Sequence, residues 1–230
     1  MDYKDLTTKG WFYKEKFTFL LVILVFYSIA APFFIDFFQA NFLTNFFFLI
    51  VLLSAVFAVS SKKEHFILIL IISGLRIVLF CYTLFVSSEN LLIIDIILQI
   101  IFFACLIFII GGYFYRYESV SRNTISAALI CYILLVLLWS DLYFLVELKF
   151  PNSFTVAHEA IKASPAILGY FSFVTITTLG YGDISPVSEQ ARNLAVLEAF
   201  VGQMYVAILI ARLVAIHTAQ ASAKKRKNNG

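Results

Sequence analysis

The sequence has 230 residues, of which 62% are hydrophobic and 13% are charged. Soluble domains have roughly 45–50% apolar and about 25% charged residues, so the 17 basic and 14 acidic side chains of this chain are too few to cover a water-exposed surface. This composition argues against a soluble enzyme, a disordered region and a secreted disulfide-rich domain. It predicts an integral membrane protein, and the net charge of +3 is too small to indicate a nucleic-acid partner.

Six apolar stretches have the length of about 20 residues that a helix needs to cross the hydrocarbon core of a bilayer. A transmembrane β-barrel would instead show alternating segments of about ten residues. The predicted fold class is therefore an all-α membrane protein with six transmembrane helices. They are residues 17–35, 42–60, 66–86, 91–113, 124–147 and 191–216.

The basic residues indicate how these helices are oriented. Of the 17 Lys and Arg residues, 12 lie before the first span, after the second, after the fourth or at the end of the chain. These segments share one side of the membrane if six helices alternate, and the positive-inside rule makes that side cytoplasmic. We therefore expect both termini in the cytoplasm and the protein in the plasma membrane.

The stretch between the fifth and sixth spans, residues 148–190, is neither a spanning helix nor an ordinary loop. Ser164 is a typical N-cap residue and Pro165 is favoured at the first helical position, so together they predict the start of a helix. That helix, residues 165–176, has room for about 12 residues, roughly 18 Å at 1.5 Å per residue. It can enter the membrane but not cross it, which predicts a re-entrant pore helix enclosed by protein or by a water-filled cavity.

A seven-residue motif follows this helix directly, and residues 177–183 read Thr-Thr-Leu-Gly-Tyr-Gly-Asp. Glycines at alternate positions allow positive φ, so the backbone can turn its carbonyl groups inward. Such carbonyls can replace the hydration shell of an ion, and the C-terminal end of the short helix stabilises a cation nearby. The motif therefore predicts a cation pathway lined by backbone.

This motif resembles the selectivity filter of the potassium channel family, which reads Thr-x-Gly-Tyr-Gly and is usually followed by Asp. The similarity extends to residues 175–178 and 184–188, and Gly202 falls where the family usually has an inner-helix hinge. The resemblance implies a six-transmembrane, one-pore-loop K⁺ channel, with K⁺ as the permeant ion and no cofactor. The implied K⁺ ligands are Thr178, Leu179, Gly180, Tyr181 and Gly182.

The resemblance also implies which residues support the filter. Asp183 would brace its outer edge from behind. Val174 stands where the family often has an acidic partner for that carboxylate, which leaves Tyr170 as the hydroxyl donor. The implied supporting residues are Tyr170, Val174, Thr177 and Asp183.

The single filter motif predicts the stoichiometry, because such a filter needs a ring of four strands. We therefore expect a homotetramer. Two alternatives stay open. The same scaffold with relaxed selectivity would be a general monovalent cation channel, whereas a secondary transporter or membrane enzyme would show inverted repeats or clustered polar residues at the midplane, which the sequence does not display.

The four predicted helices before the pore, residues 17–113, resemble a voltage-sensing domain without its charges. A voltage sensor needs several Arg or Lys residues in the fourth helix, since one charge moved through 100 mV yields only about 2.3 kcal/mol. The fourth span has none before Arg116, so we expect weak or no voltage dependence. The other predicted segments are an N-terminal segment 1–16, a linker 114–123, a pore domain 124–216 and a basic tail 217–230.

Three polar residues of the third and fourth spans are expected to be partners, because an unpaired charge in lipid costs several kcal/mol. Arg76 lies near the middle of the third span, and Asp95 and Gln99 lie in the outer half of the fourth. We favour a structural ion pair or hydrogen bond between them. A ligand site or a charge-transfer site is the alternative.

Two acids, Asp141 and Glu198, lie at similar depth near the outer ends of the fifth and sixth spans. We expect Glu198 to form hydrogen bonds with the pore helix, at Thr175 or Ser172. The alternative hypothesis is that one of the two acids is protonated and that external pH tunes the filter.

The inner helix should present several residues to a cavity below the filter. By helical spacing from Gly202 these are Gln203, Val206 and Ile210, with Ala207 as a further candidate. Ile210 could narrow the inner mouth and gate by dewetting, and core packing of the same residues is the alternative. At the end of the chain, a basic run could attract anionic lipid or could simply set the topology. It comprises Lys224, Lys225, Arg226 and Lys227.

Overall fold

A computed structural model describes most of the chain, and its described part is largely helical. The described residues are 16–34, 40–59, 63–83, 88–116, 121–156, 159–160 and 164–228. The helices in this part are α1 (Lys16–Phe34), α2 (Ala40–Val59), α3 (Lys63–Thr83), α4 (Glu89–Arg116), α5 (Arg122–Lys149), α6 (Pro165–Ile176) and α7 (Glu189–Asn228).

Four of these helices, α3, α4, α5 and α7, are long and apolar enough to cross a membrane when only described residues are counted. The fully described parts of the first two helices, Lys16–Ser28 and Ile50–Val59, form shorter apolar helices. The expectation of an integral membrane protein built mostly from helices therefore holds.

The long helices extend further than their apolar stretches. The structure has α5 at Arg122–Lys149 instead of 124–147, and α7 at Glu189–Asn228 instead of 191–216. Most of the expected tail, residues 217–230, is therefore part of α7. Its Ala, Gln, Lys and Arg residues are strong helix formers, so the helical hydrogen bonds continue after the apolar residues end.

A small antiparallel sheet is the feature that an all-α prediction lacked. It contains β1 (Phe154–Val156), β2 (Glu159–Ala160) and β3 (Ile184–Pro186) in the order β2-β1-β3. Strands of two or three residues are too short to show a period-two pattern. Thr155 pairs with Ser185, so the segment after the filter motif is hydrogen-bonded to the segment after α5.

The chain folds into two compact units. The first unit comprises Met1–Ser73, Leu106–Ile133 and Arg212–Gly230. Within it, Leu20 and Leu24 of α1 are fully buried. The rings of Phe17 and Tyr113 lie 4.6 Å apart between their centroids, which joins α1 to the end of α4.

The second unit comprises Gly74–Cys105 and Leu134–Ala211, and it contains the filter motif. Its core includes three aromatic rings, Tyr143 of α5, Phe154 of β1 and Phe171 of α6, which contact each other edge to face at centroid distances of 5.1–5.6 Å. Edge-to-face pairs add about 0.5–1.5 kcal/mol each beyond the area they bury. This aromatic cluster fixes α6 against α5 and the sheet.

Candidate functional site

The short helix α6 leads directly into the filter motif. The side chain of Ser164 caps its first turn by accepting a hydrogen bond from the backbone N–H of Ile167 at 3.4 Å, and Pro165 occupies the first helical position. At the other end, the carbonyl of Val174 accepts hydrogen bonds from the N–H groups of Leu179 at 3.0 Å and Gly180 at 3.3 Å. Two backbone donors of the motif are thus held by the last turn of α6.

The backbone of the motif alternates in handedness. Thr178, Gly180 and Gly182 have positive φ angles of 59°, 60° and 77°. A Cβ atom added to Gly180 or Gly182 would meet no atom within 4 Å, so neighbouring atoms do not exclude a side chain there. Glycine is favoured at these positions because of their positive φ angles. Thr178 has no such freedom, and a left-handed residue of this kind costs roughly 1–2 kcal/mol.

The side chains of residues 177–183 are exposed in the single chain. Two of them are large and apolar or aromatic, with Leu179 55% exposed and Tyr181 67% exposed. The motif therefore presents an uncovered surface in the isolated chain.

The C-terminal end of the motif is held by side chains. The hydroxyl of Ser185 donates to the carbonyl of Gly182 at 3.4 Å. The phenol hydroxyl of Tyr170 donates a hydrogen bond to Asp183. This hydrogen bond is the main cause of a raised pKa of Tyr170, and desolvation is the second cause. Val174, at the position where the potassium channel family often has an acidic residue, is buried. The hydroxyl of Thr177 donates a hydrogen bond to the carbonyl of Phe173 at 2.6 Å.

Glu198 of α7 lies in the interior of the second unit, with 0% of its surface exposed. One carboxyl oxygen is 2.5 Å from the hydroxyl of Ser172, and the other bonds to the hydroxyl of Tyr143. Of the two expected sites on α6, Ser172 is the one in contact. The Ser172 hydroxyl also lies 2.8 Å from the carbonyl of Val136, so this group of polar atoms joins α5, α6 and α7.

Gly202 lies one turn after Glu198 and faces the end of α6. A Cβ atom at Gly202 would come within 2.6 Å of Ile176 Cγ1 and 2.7 Å of the Ile176 carbonyl oxygen. Close approach of the two backbones therefore requires glycine at this position. This requirement differs from the hinge role that the resemblance implies.

The inner-helix residues expected to face a cavity are exposed in the single chain. The side-chain amide of Gln203 donates to Thr178 Oγ1 at 3.4 Å, which places Gln203 beside the N-terminal end of the motif. Val206 and Ile210, one and two turns further along, are 39% and 56% exposed.

The expected partners in α3 and α4 are adjacent. Arg76 donates from Nε and Nη2 to the two carboxylate oxygens of Asp95 at 3.1 and 2.9 Å, a two-pronged ion pair. Gln99 lies one turn further along α4 and is half-buried. Asp141 of α5 lies close enough to Arg76 and Asp95 for an electrostatic interaction with both.

Two polar residues with clear structural roles were absent from the sequence-based candidates. Arg212 of α7 donates to the carbonyls of Phe114 and Tyr115 at 3.3 and 2.6 Å, and its guanidinium lies over both rings. It thereby caps the C-terminal end of α4. Glu147 is buried and accepts hydrogen bonds from the N–H groups of Asn152 and Ser153. A charged residue inside an apolar run was the available signal for Arg212.

Comparison with protein families identifies this region. Residues 131–219 match the model of a family described as "Ion channel". The match runs from within α5, through α6 and the filter motif, into α7, and it supports ion-channel activity in a membrane protein rather than an enzyme. No curated protein and no solved structure matches the chain significantly.

Proposed function

We propose that this protein is a potassium-selective channel that lets K⁺ cross the membrane passively through a tetrameric pore. The observation that carries the proposal is the backbone of residues 178–182, in which every second residue has positive φ. A strand that alternates between left-handed and right-handed residues can direct successive carbonyl groups to one side. A row of carbonyls on one side is what K⁺ needs as it loses its water.

The proposed ligands are the carbonyl groups of residues 178–182 together with the hydroxyl of Thr178. Hydrogen bonds from Leu179 and Gly180 to Val174 occupy donor groups of the motif on the side of α6. The bonds from Tyr170 to Asp183 and from Ser185 to Gly182 hold its outer end. Binding sites of this kind must be fixed in space, because a displaced carbonyl stabilises the dehydrated ion less.

The proposed assembly is a homotetramer, since one chain supplies one of the four strands. The exposure of Leu179 and Tyr181 in the single chain supports this assembly, because neighbouring copies would cover these side chains. Gln203, Val206 and Ile210 would then line a cavity below the filter. In that case Gly202 would let α7 lie close to α6, whether or not α7 also bends there.

The peripheral helices complete the proposal. We propose six membrane spans, both termini in the cytoplasm and a location in the plasma membrane. The distribution of basic residues supports this orientation. The ion pair of Arg76 and Asp95 connects α3 to α4. Because α4 has no Arg or Lys before Arg116, the voltage dependence should be weak. Residues 224–227, at the end of α7, would lie near anionic lipid headgroups.

A monovalent cation channel with relaxed selectivity is the second candidate on the same scaffold. Purified full-length protein in planar bilayers distinguishes the two. With KCl on one side and NaCl on the other, a K⁺-selective pore gives a reversal potential close to the K⁺ equilibrium potential. A reversal potential near zero would support the relaxed pore, and the absence of any current through folded tetramers would contradict both.

A further inference from the structure

The strongest unexplained feature of the molecule is the buried polar group formed by Glu198, Tyr143, Ser172 and the carbonyl of Val136. Three contacts connect its four members. The Ser172 hydroxyl is 2.8 Å from the Val136 carbonyl and 2.5 Å from one oxygen of Glu198, while the other oxygen of Glu198 contacts the Tyr143 hydroxyl. Both separations of the Ser172 hydroxyl lie in the range of O–H···O hydrogen bonds.

Three hydrogen bonds need three protons, and the hydroxyls of Ser172 and Tyr143 supply two. The Val136 carbonyl can only accept, so the proton in that contact belongs to Ser172. A proton shared by Ser172 between two acceptors would give two long contacts, unlike those observed. We infer that Glu198 is a protonated carboxylic acid that donates to Ser172, and that it acts as a positioning residue for the filter.

The surroundings of Glu198 agree with a neutral acid. Its side chain is fully buried, and it belongs to a helix apolar enough to cross a membrane. An ionised carboxylate without a cation is costly in such surroundings. Within the described part of the chain, Arg76–Asp95 is the pair that meets the distance for a salt bridge, and Glu198 is held by hydroxyl groups alone. A neutral carboxyl group forms both of its contacts without carrying a charge into the membrane.

The position of this acid connects it to the filter. Glu198 and Gly202 are one turn apart on α7 and contact Ser172 and Ile176, which are one turn apart on α6. The filter motif begins at the residue after Ile176. The hydrogen bonds of Glu198 therefore fix the axial position of α6, and with it the first carbonyl of the filter. This role rests on the proposed channel function, whereas the protonation of Glu198 does not.

The experiment combines infrared spectroscopy with single-channel recording on full-length tetramers in lipid. Glu198→Gln keeps one acceptor and one donor in the same places, so it reproduces the neutral acid without its carbonyl band. Glu198→Ala and Ser172→Ala remove one side of the contact to α6. Glu189→Gln is the matched control, since it makes the same chemical change at an exposed position of α7.

We expect the wild-type spectrum to contain a protonated-carboxyl C=O band that is absent from Glu198→Gln and retained in Glu189→Gln. We also expect Glu198→Gln to lose conduction during sustained opening at the wild-type rate. Glu198→Ala and Ser172→Ala should do so about tenfold faster or more, because each loses the hydrogen bond between α6 and α7 together with one further contact. If Glu198→Ala does not assemble, Ser172→Ala and Tyr143→Phe test the same contacts.

Two results would overturn the inference. The first is a wild-type spectrum that lacks the protonated-carboxyl C=O band and is therefore the same as that of Glu198→Gln in this region. This result would mean that Glu198 is ionised. The second is an unchanged rate of conduction loss in variants that lack the contact, which would remove the positioning role. A wild-type protein that shows the band but passes no K⁺ would contradict the proposed channel and leave the protonated acid standing.

Discussion

Two acids of the second unit, the half-buried Asp95 and the fully buried Glu198, have opposite kinds of partner. Asp95 faces the guanidinium of Arg76 in a two-pronged ion pair, whereas Glu198 contacts two hydroxyl groups. A cation at contact distance stabilises an ionised carboxylate, and hydroxyl groups alone do so far less in an apolar medium. The same side-chain group can thus serve as a fixed charge in the peripheral helices and as a neutral hydrogen-bonding group behind the filter.

The largest effect should come from removing the cation of the first site. Arg76→Met leaves the carboxylate of Asp95 without its partner, which costs about 3–5 kcal/mol when the pair is fully buried. The lower end applies here because the Asp95 side chain is 23% exposed. We expect a clear fall in the thermal stability of the purified protein in detergent.

The double variant Arg76→Met/Asp95→Asn is the control for this change, because it removes both charges together. It should recover most of the lost stability. Equal stability of wild type and Arg76→Met would show that the ion pair contributes nothing and would remove the contrast with Glu198.

A smaller effect should follow from Gly202→Ala, which tests packing one turn away from Glu198. The new methyl group would press on Ile176, including its backbone carbonyl, and overpacking of this kind costs typically about 1–3 kcal/mol. We expect a lower thermal stability in detergent. We also expect a faster loss of conduction in the planar-bilayer recordings.

Gly111→Ala is the matched control for that substitution, since a Cβ atom at Gly111 of α4 meets nothing within 4 Å. It should leave stability unchanged or slightly higher, because Ala favours helix over Gly by about 1 kcal/mol. If both alanine variants behave alike, the close approach at Gly202 is unimportant.

Tyr143→Phe isolates one hydrogen bond of Glu198. Loss of the hydroxyl leaves one carboxyl oxygen without its donor, which costs roughly 1–3 kcal/mol for a buried group. The aromatic contacts with Phe154 and Phe171 remain, so the change in unfolding free energy should reflect the hydroxyl. Chemical denaturation of both proteins measures it, and no change would show that Tyr143 contributes packing only.

The smallest change in stability should come from Tyr170→Phe, because the acid that it contacts, Asp183, is exposed. We expect conduction to be lost faster during sustained opening, with little change in the thermal transition. The raised pKa of Tyr170 means that its phenol stays protonated in the folded protein above the ordinary value of 10.0. The difference between wild type and variant should therefore persist through the neutral range and disappear only as pH rises through that raised pKa.

Much of the region from α6 to Asp183 could be predicted because local signals specify it. Ser164 and Pro165 predicted where α6 begins, and the alternate glycines predicted positive φ at Gly180 and Gly182. The pairing of Arg76 with Asp95 could be expected because a charge inside an apolar run needs a partner. Each of these inferences depends on residues that are close in sequence or on a strong energetic penalty.

Other features depend on contacts between distant segments and could not be predicted in this way. The strands β1 and β3 become strands only by pairing with each other. Gly202 looks the same in sequence whether it bends a helix or lets two backbones approach. Arg212 has its role only because the last carbonyls of α4 lie beside it.

The sequence by itself determined that this protein belongs in a membrane and where its long helices run, and it predicted a seven-residue motif as a cation site. Composition, helix caps and glycine conformations are local properties, so they can be recognised without knowing the fold. Only the tertiary structure decided which hydroxyl groups meet Glu198 and why residue 202 has no side chain. Proton positions and backbone contacts depend on distances between helices, and packing of the whole chain sets those distances.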